Sequence, residues 1–270
     1  MLAEAKDLLK KTYLPAQEKL STSRDWQAFA EEKYVHSLQV LGAGNYILGH
    51  EEFFINKSPE FIDLAKTVLV LHDIARFEEI VRRSQNINNY DHGVEGAKLL
   101  EDLPPFNDIL ITLPIKHHGH MIEDFYNDDA FKAINDPQQI EDVKNLIFLV
   151  RDADKIANFN QLCNPHFHEW HKYFFPEKDI SSQITPMVKK AFLQETLVPR
   201  PNIITRADRM LSLLSWFYDI NYNASLEFCS KLKIDNVMIN IFKSMMHDNV
   251  DDEIIDKMTS WLKQKNTIHG

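Results

Sequence analysis

A histidine directly followed by an aspartate, His72-Asp73, ends a segment that is apolar almost without break from Leu64 onward. An imidazole or a carboxylate left unpaired at the edge of a packed core costs several kilocalories per mole, whereas a divalent cation satisfies both at once. Similar donors stand beside other apolar stretches: His36, His92, the pair His117-His118, and Asp152 or Asp154 in Arg151-Asp152-Ala153-Asp154-Lys155. Each belongs to a separate predicted element, which is how a helical bundle assembles a metal site in its interior. Nitrogen and oxygen donors without thiolates suit iron, manganese, zinc or magnesium, and do not separate these from nickel or cobalt. Asp73 could bridge two ions, one held largely by His36 and His72, the other by His92 and His118. One or two such ions would polarise a phosphoryl oxygen and generate hydroxide near neutral pH.

The elements that must carry these donors are helices. Apolar positions recur at helical spacing over 2–12 and 24–50, where Trp26, Phe29, Tyr34, Leu38, Val40 and Leu41 mark a broad stripe. Ser58 and Pro59 read as the cap and first residue of a helix that ends near His72-Asp73. A polar loop follows over 84–91, and Asp91 is placed to cap a helix beginning at His92. Pro104-Pro105 separates that helix from the apolar run Ile109 to Ile115, which leads into Lys116-His117-His118-Gly119-His120. A further helix spans about 138–158. From about 160 onward the chain is aromatic-rich and broken at Pro165, Pro176, Pro186, Pro199 and Pro201. Its most apolar stretch, 208–222, is expected to pack back on the N-terminal helices. The expectation is an all-α protein: a metal-binding helical domain over 1–160 and a C-terminal helical extension over 161–270, together one compact unit.

Composition narrows the function. A formal charge of −10 argues against a nucleic-acid polymer as partner, because such binding rests on lysine and arginine neutralising phosphates. It leaves room for a small phosphorylated substrate, since a local metal cluster outweighs the global field. Seven glycines in 270 residues leave no glycine-rich phosphate loop and no dinucleotide-binding fingerprint. Two distant cysteines, Cys163 and Cys229, fit a reducing cytosol. With no signal-peptide pattern in MLAEAKDLLKKTYLPAQ and no stretch of membrane-spanning length, a cytoplasmic protein without a membrane partner is expected. Nothing in the sequence reports the oligomeric state.

The order His36, then His72-Asp73, then a distant Asp in Ala153-Asp154-Lys155, resembles the HD superfamily of metal-dependent phosphohydrolases over roughly residues 30–160. The resemblance implies an HD-domain helical bundle and selects Asp154 over Asp152 as the last ligand. It implies a metal set of His36, His72, Asp73 and Asp154. His92-Gly93 and His118-Gly119 resemble the extra histidines of branches that hold two metals. No Gly-Tyr-Pro segment follows the paired histidines, so the branch that cleaves cyclic-di-GMP is not indicated.

Asp73, His92, His118, Arg76 and Lys155 are the candidates for catalytic work. Arg76 and Lys155, one turn beyond proposed ligands, could clamp a substrate phosphate; the competing role is a surface cation or a salt bridge to Glu78, Glu79 or Asp152. His117 is expected to contact a ligand side chain or the substrate, His120 to face solvent, and Asp152 to orient a ligand histidine. His166, His168 and His171 alternate with Phe167, Trp170 and Tyr173 and read as a packed aromatic helix rather than a second metal site. The acidic run Asp248 to Glu253 reads as a solvated helix start. The expected activity is hydrolysis of a small, nucleotide-like phosphoester by metal-activated water, with a histidine protonating the leaving oxygen. The alternatives are an HD-fold di-iron oxygenase and a catalytically silent ligand-sensing module. Pocket walls are expected from loops 84–91 and 119–135 and from the extension, none with a readable specificity signal.

Overall fold

A computed structural model describes residues 1–163, 183–246 and 251–267, and no strand occurs among them. The histidines at 166, 168 and 171, and positions 248–250 of the acidic run, lie outside the described residues. The chain divides into two compact units, Met1–Ala157 and Asn158–Gly270.

The first unit holds α1 (Leu2–Lys19), α2 (Arg24–His50), the short α3 (Glu52–Ile55), α4 (Pro59–Leu71), α5 (Arg76–Ser84), α6 (His92–Glu101), α7 (Ile109–His117), the short α8 (Ile122–Asn127) and α9 (Asp129–Lys132), and most of α10 (Pro137–Leu162). Three of the starts follow from local chemistry. Ser58 accepts from the Phe61 amide with Pro59 in the first turn; Asp91 accepts from the Gly93 and Val94 amides; Asp108 accepts from the Leu110 amide. These caps satisfy amides that have no partner within the helix.

α1 runs to Lys19, well past the predicted end at residue 12, and carries Pro15 inside it. Proline there removes one helical hydrogen bond. Ala5, Leu9, Ala16 and Leu20 nevertheless keep one buried stripe across the proline, and that burial outweighs the missing bond. α5 has no counterpart among the helices predicted from the sequence. The span 119–135, read as a loop, contains α8 and α9. Both corrections have one cause: short helices carry too few apolar positions for their period to stand out, and packing supplies what intrinsic preference does not.

α4 is buried on all sides at its end, with Val68, Leu69, Val70 and Leu71 fully inaccessible. It packs against α1, α2 and α7, while α6 lies along α7 and α2 meets α5. Gly44 permits the α2–α4 approach: a Cβ there would stand 2.2 Å from Leu69 Cδ1. His72-Asp73 therefore leaves α4 in the middle of the unit, with α2, α5, α6 and α7 around it.

The second unit comprises α11 (Pro186–Leu193), α12 (Arg206–Ser215), α13 (Asn223–Lys231), α14 (Ile234–Met246) and α15 (Asp252–Thr267), with two short 3-10 turns. Thr205 and Asp208 form a reciprocal capping box at the start of α12. Asp208 is fully buried, and its carboxylate accepts from the amides of Thr185, Ile204 and Thr205, so its role is to hold backbone. Val188, Phe192, Leu214, Phe217, Met238 and Phe242 are buried in this unit, where Phe159 stacks on Phe217 at 4.5 Å between ring centroids. No helix among the described residues is long and apolar enough to cross a membrane.

Candidate metal centre

Two groups of donor atoms meet where α4 ends. In the first, atoms of His36, His72 and Asp73 lie within 4.8 Å of one another. Asp154 Oδ1, from α10, stands 2.8 Å from His36 Nε2 and 3.7 Å from His72 Nε2, which joins it to this group. The second consists of Asp73, His92 and His118, with Asp73 Oδ1 3.2 Å from His92 Nε2 and 3.4 Å from His118 Nε2. Asp73 belongs to both.

The backbone sets the histidine tautomers. His72 Nδ1–H donates to the Leu69 carbonyl at 2.9 Å, and His118 Nδ1–H donates to the Ile115 carbonyl at 2.7 Å. A carbonyl only accepts, so each ring in its neutral form carries its lone pair on Nε2 and aims it inward. Burial lowers the pKa of His72 to about 4 and that of His92 to about 4, which keeps both imidazoles neutral at physiological pH, the form that ligates metal. His36 is also lowered, by burial and then by Lys33. Burial works to raise the carboxylates of Asp73 and Asp154. Arg76 and His72 outweigh it at Asp73, which is held well below the usual range, and the His36 contact outweighs it at Asp154. His118 moves the other way: burial alone would lower it, but the adjacent Asp73 raises it.

Chemical fit to a cation rests on these atoms. His72 Nε2 is buried with no hydrogen-bond partner, and Asp73 Oδ1 is buried beside Arg76 Nη2 at 3.2 Å. An orphaned acceptor such as His72 Nε2 is expensive unless a cation meets it. A donor set of imidazole nitrogen and carboxylate oxygen suits a divalent transition metal.

The structure separates residues that the sequence left paired. Of His117 and His118, the second faces the cluster. His117 turns instead to Asp128, with Nε2 2.8 Å from Oδ2. His120, expected to face solvent, is partly buried and sits 2.8 Å from Asp91 Oδ2. Asp154 meets His36, while Asp152 is fully buried two residues before it. Lys155 is buried with its ammonium 3.4 Å from the Arg151 carbonyl one turn back. Arg76 pairs with Glu79, one of the three partners anticipated, at 2.6 Å, and also reaches Asp73 and His92.

Three contributors were not foreseen. Glu79 Oε2 lies 3.1 Å from His92 Nδ1, and Glu79 stays ionised against its burial through His92 and Arg76. Lys33, one turn before His36 on α2, is buried, and burial pulls its ammonium pKa down. Its i, i+3 spacing to His36 was the available signal. Arg151 donates to the carbonyls of His117, His118 and His120, capping the end of α7 that presents His118.

Asp128 anchors the turn after α8. It accepts from Lys116, His117 and the Ala130 amide, and these bonds outweigh burial to lower its pKa to about 2. The sign follows from the depressed pKa: this stability is present above the unfolded carboxyl's pKa and is lost as acid is added, between roughly pH 4 and pH 2. Discounted for partial solvation, the contribution is about 1–2 kcal/mol. Asp128→Asn should lower stability at pH 7 by that amount and flatten the unfolding midpoint's acid dependence. Parallel acid profiles of the two proteins would refute it.

The fold and the cluster define an all-helical domain with histidine and aspartate donors gathered from separate helices. Residues 34–158 match the family model described as HD domain, and this match supports membership of the HD-domain superfamily. Its members are generally metal-dependent phosphohydrolases, and the domain typically binds divalent metals. Neither the curated proteins nor the solved structures compared with the chain gave a match.

Proposed function

We propose that this protein hydrolyses a phosphoester bond in a small, nucleotide-like molecule. The observation that carries the reading is the first donor group: His36 and Asp154 converge from two helices on His72 and Asp73 in the turn after α4, with His72 Nε2 buried and unpaired. A divalent ion held by these four residues would polarise a phosphoryl oxygen and activate water for attack at phosphorus.

The other groups divide the remaining work. Arg76 binds phosphoryl oxygens, a natural role for a permanently charged planar donor. His92 is oriented by Glu79 and lines the same face. His118 keeps a proton to higher pH than an ordinary histidine because of Asp73, and it is the group that protonates the leaving oxygen. Lys33 adds positive charge facing Asp73 and Asp154. Two adjacent groups sharing Asp73 also suit a di-iron oxygenase, the second reading.

A panel of phosphoesters assayed with manganese, magnesium, cobalt, nickel and zinc under argon tests the first reading. Turnover that releases phosphate and is lost with chelator is expected. Oxygen consumption by iron-loaded protein, with no phosphate release from any ester, would replace the hydrolase with the oxygenase.

A further inference from the structure

Arg76 sits inside the second donor group. Its Nη2 is 2.7 Å from His92 Nε2 and 3.2 Å from Asp73 Oδ1, and its Nε donates to Asp73 Oδ2 at 3.3 Å. Its Nη1 donates to Glu79 Oε2 at 2.6 Å. A guanidinium has only donors, so the 2.7 Å contact requires an unprotonated His92 Nε2. The His92 proton then sits on Nδ1, which faces Glu79 Oε2 at 3.1 Å. Neutral imidazole has one in-plane lone pair available to a donor or a metal. At His92, Arg76 is using it.

A metal ion between Asp73 Oδ1, His92 Nε2 and His118 Nε2 would need that same lone pair and would stand against a guanidinium that does not lose its charge. The two cations exclude one another. Arg76 is also fastened: it is gripped by carboxylates on two sides and starts the helix that carries Glu79.

We infer that Arg76 is the resident cation of the second position, so that this chain takes a single divalent ion, at His36, His72, Asp73 and Asp154. The inference rests on the metal centre proposed above and departs from the two-metal occupancy that the extra histidines suggest. Positive charge toward the substrate then comes from one metal and one guanidinium. A di-iron centre, the second reading above, needs both positions and falls with the second ion.

Isothermal titration of the full chain with Mn²⁺, together with low-temperature electron paramagnetic resonance, tests this without turnover. Wild-type protein is expected to bind one ion per chain with the six-line spectrum of an isolated Mn²⁺. His92→Ala should keep that ion with its affinity unchanged within about tenfold, the lower bound for losing even an indirect partner of a ligand. Arg76→Ala should bind two ions and give a spin-coupled spectrum. Two ions in wild type, a larger affinity loss in His92→Ala, or a single ion in a folded Arg76→Ala would each overturn the inference and leave the phosphohydrolase reading standing. No ion in wild type would overturn both. If Arg76→Ala does not fold, wild-type stoichiometry and His92→Ala still decide.

Discussion

His72→Ala and Asp73→Ala are expected to lose bound metal and phosphoester turnover together while keeping their helix content. Changing an indirect partner of a metal ligand commonly costs about 10–100-fold in affinity, and loss of a direct ligand should exceed that. The fold should tolerate loss of His72 because its Nε2 is buried without a hydrogen bond, so the change also removes an unmet polar atom worth about 1–3 kcal/mol; Asp73→Ala removes one of the two carboxylates that hold Arg76, and Glu79 keeps the other. Metal-induced stabilisation separates this effect from general damage. At a free metal concentration about a hundred times the dissociation constant, the wild-type protein should gain about 2.7 kcal/mol against unfolding. The two variants should gain none. A variant that still gains stability from metal, or retains full turnover when metal-free, would refute the assignment of the centre.

Gly93→Ala should be the most damaging small substitution near the site. Its Cβ would stand 2.7 Å from the Lys116 carbonyl oxygen and 3.2 Å from that of Ile115. Both are backbone atoms at the end of α7, so relief requires moving α6 away from α7. The Ile115 carbonyl is also the acceptor that orients His118, and His92 immediately precedes the glycine. The expected loss of stability is about 1–3 kcal/mol, the usual range for overpacking. A displacement near 1 Å of His92 and His118 should cost about a hundredfold in turnover. Urea unfolding and kcat measured on one preparation check both. Wild-type stability in Gly93→Ala would mean that α6 and α7 have freedom the packing denies them.

Most of the first donor group was legible in the chain. His36, His72-Asp73 and the Ala153-Asp154-Lys155 step are scarce residue types in a fixed order beside apolar runs, and the structure brings their side chains together. The helix starts at Pro59 and His92 were readable because Ser58 and Asp91 are caps with a local mechanism. Glu79 was legible only as a salt-bridge partner of Arg76, and Lys33 only through its i, i+3 spacing to His36. Glutamate and lysine abound on exposed helix faces, and only packing removes these two from water. α5 escaped for a related reason: Phe77, Ile80 and Val81 are its only buried residues, too few to declare a period.

The sequence by itself determined the all-helical class, the donor chemistry and the residues that could supply it, because periodicity, caps and side-chain type are local properties. It left His117 against His118, and the occupant of the second position, undecided. Those choices depend on which way α7 faces at its last turn and on where the first turn of α5 delivers a guanidinium. Packing turns His118 inward through the Ile115 carbonyl and brings Arg76 Nη2 to 2.7 Å from His92 Nε2, the geometry on which the single-ion inference rests. Distances between atoms far apart along the chain are fixed only when helices pack.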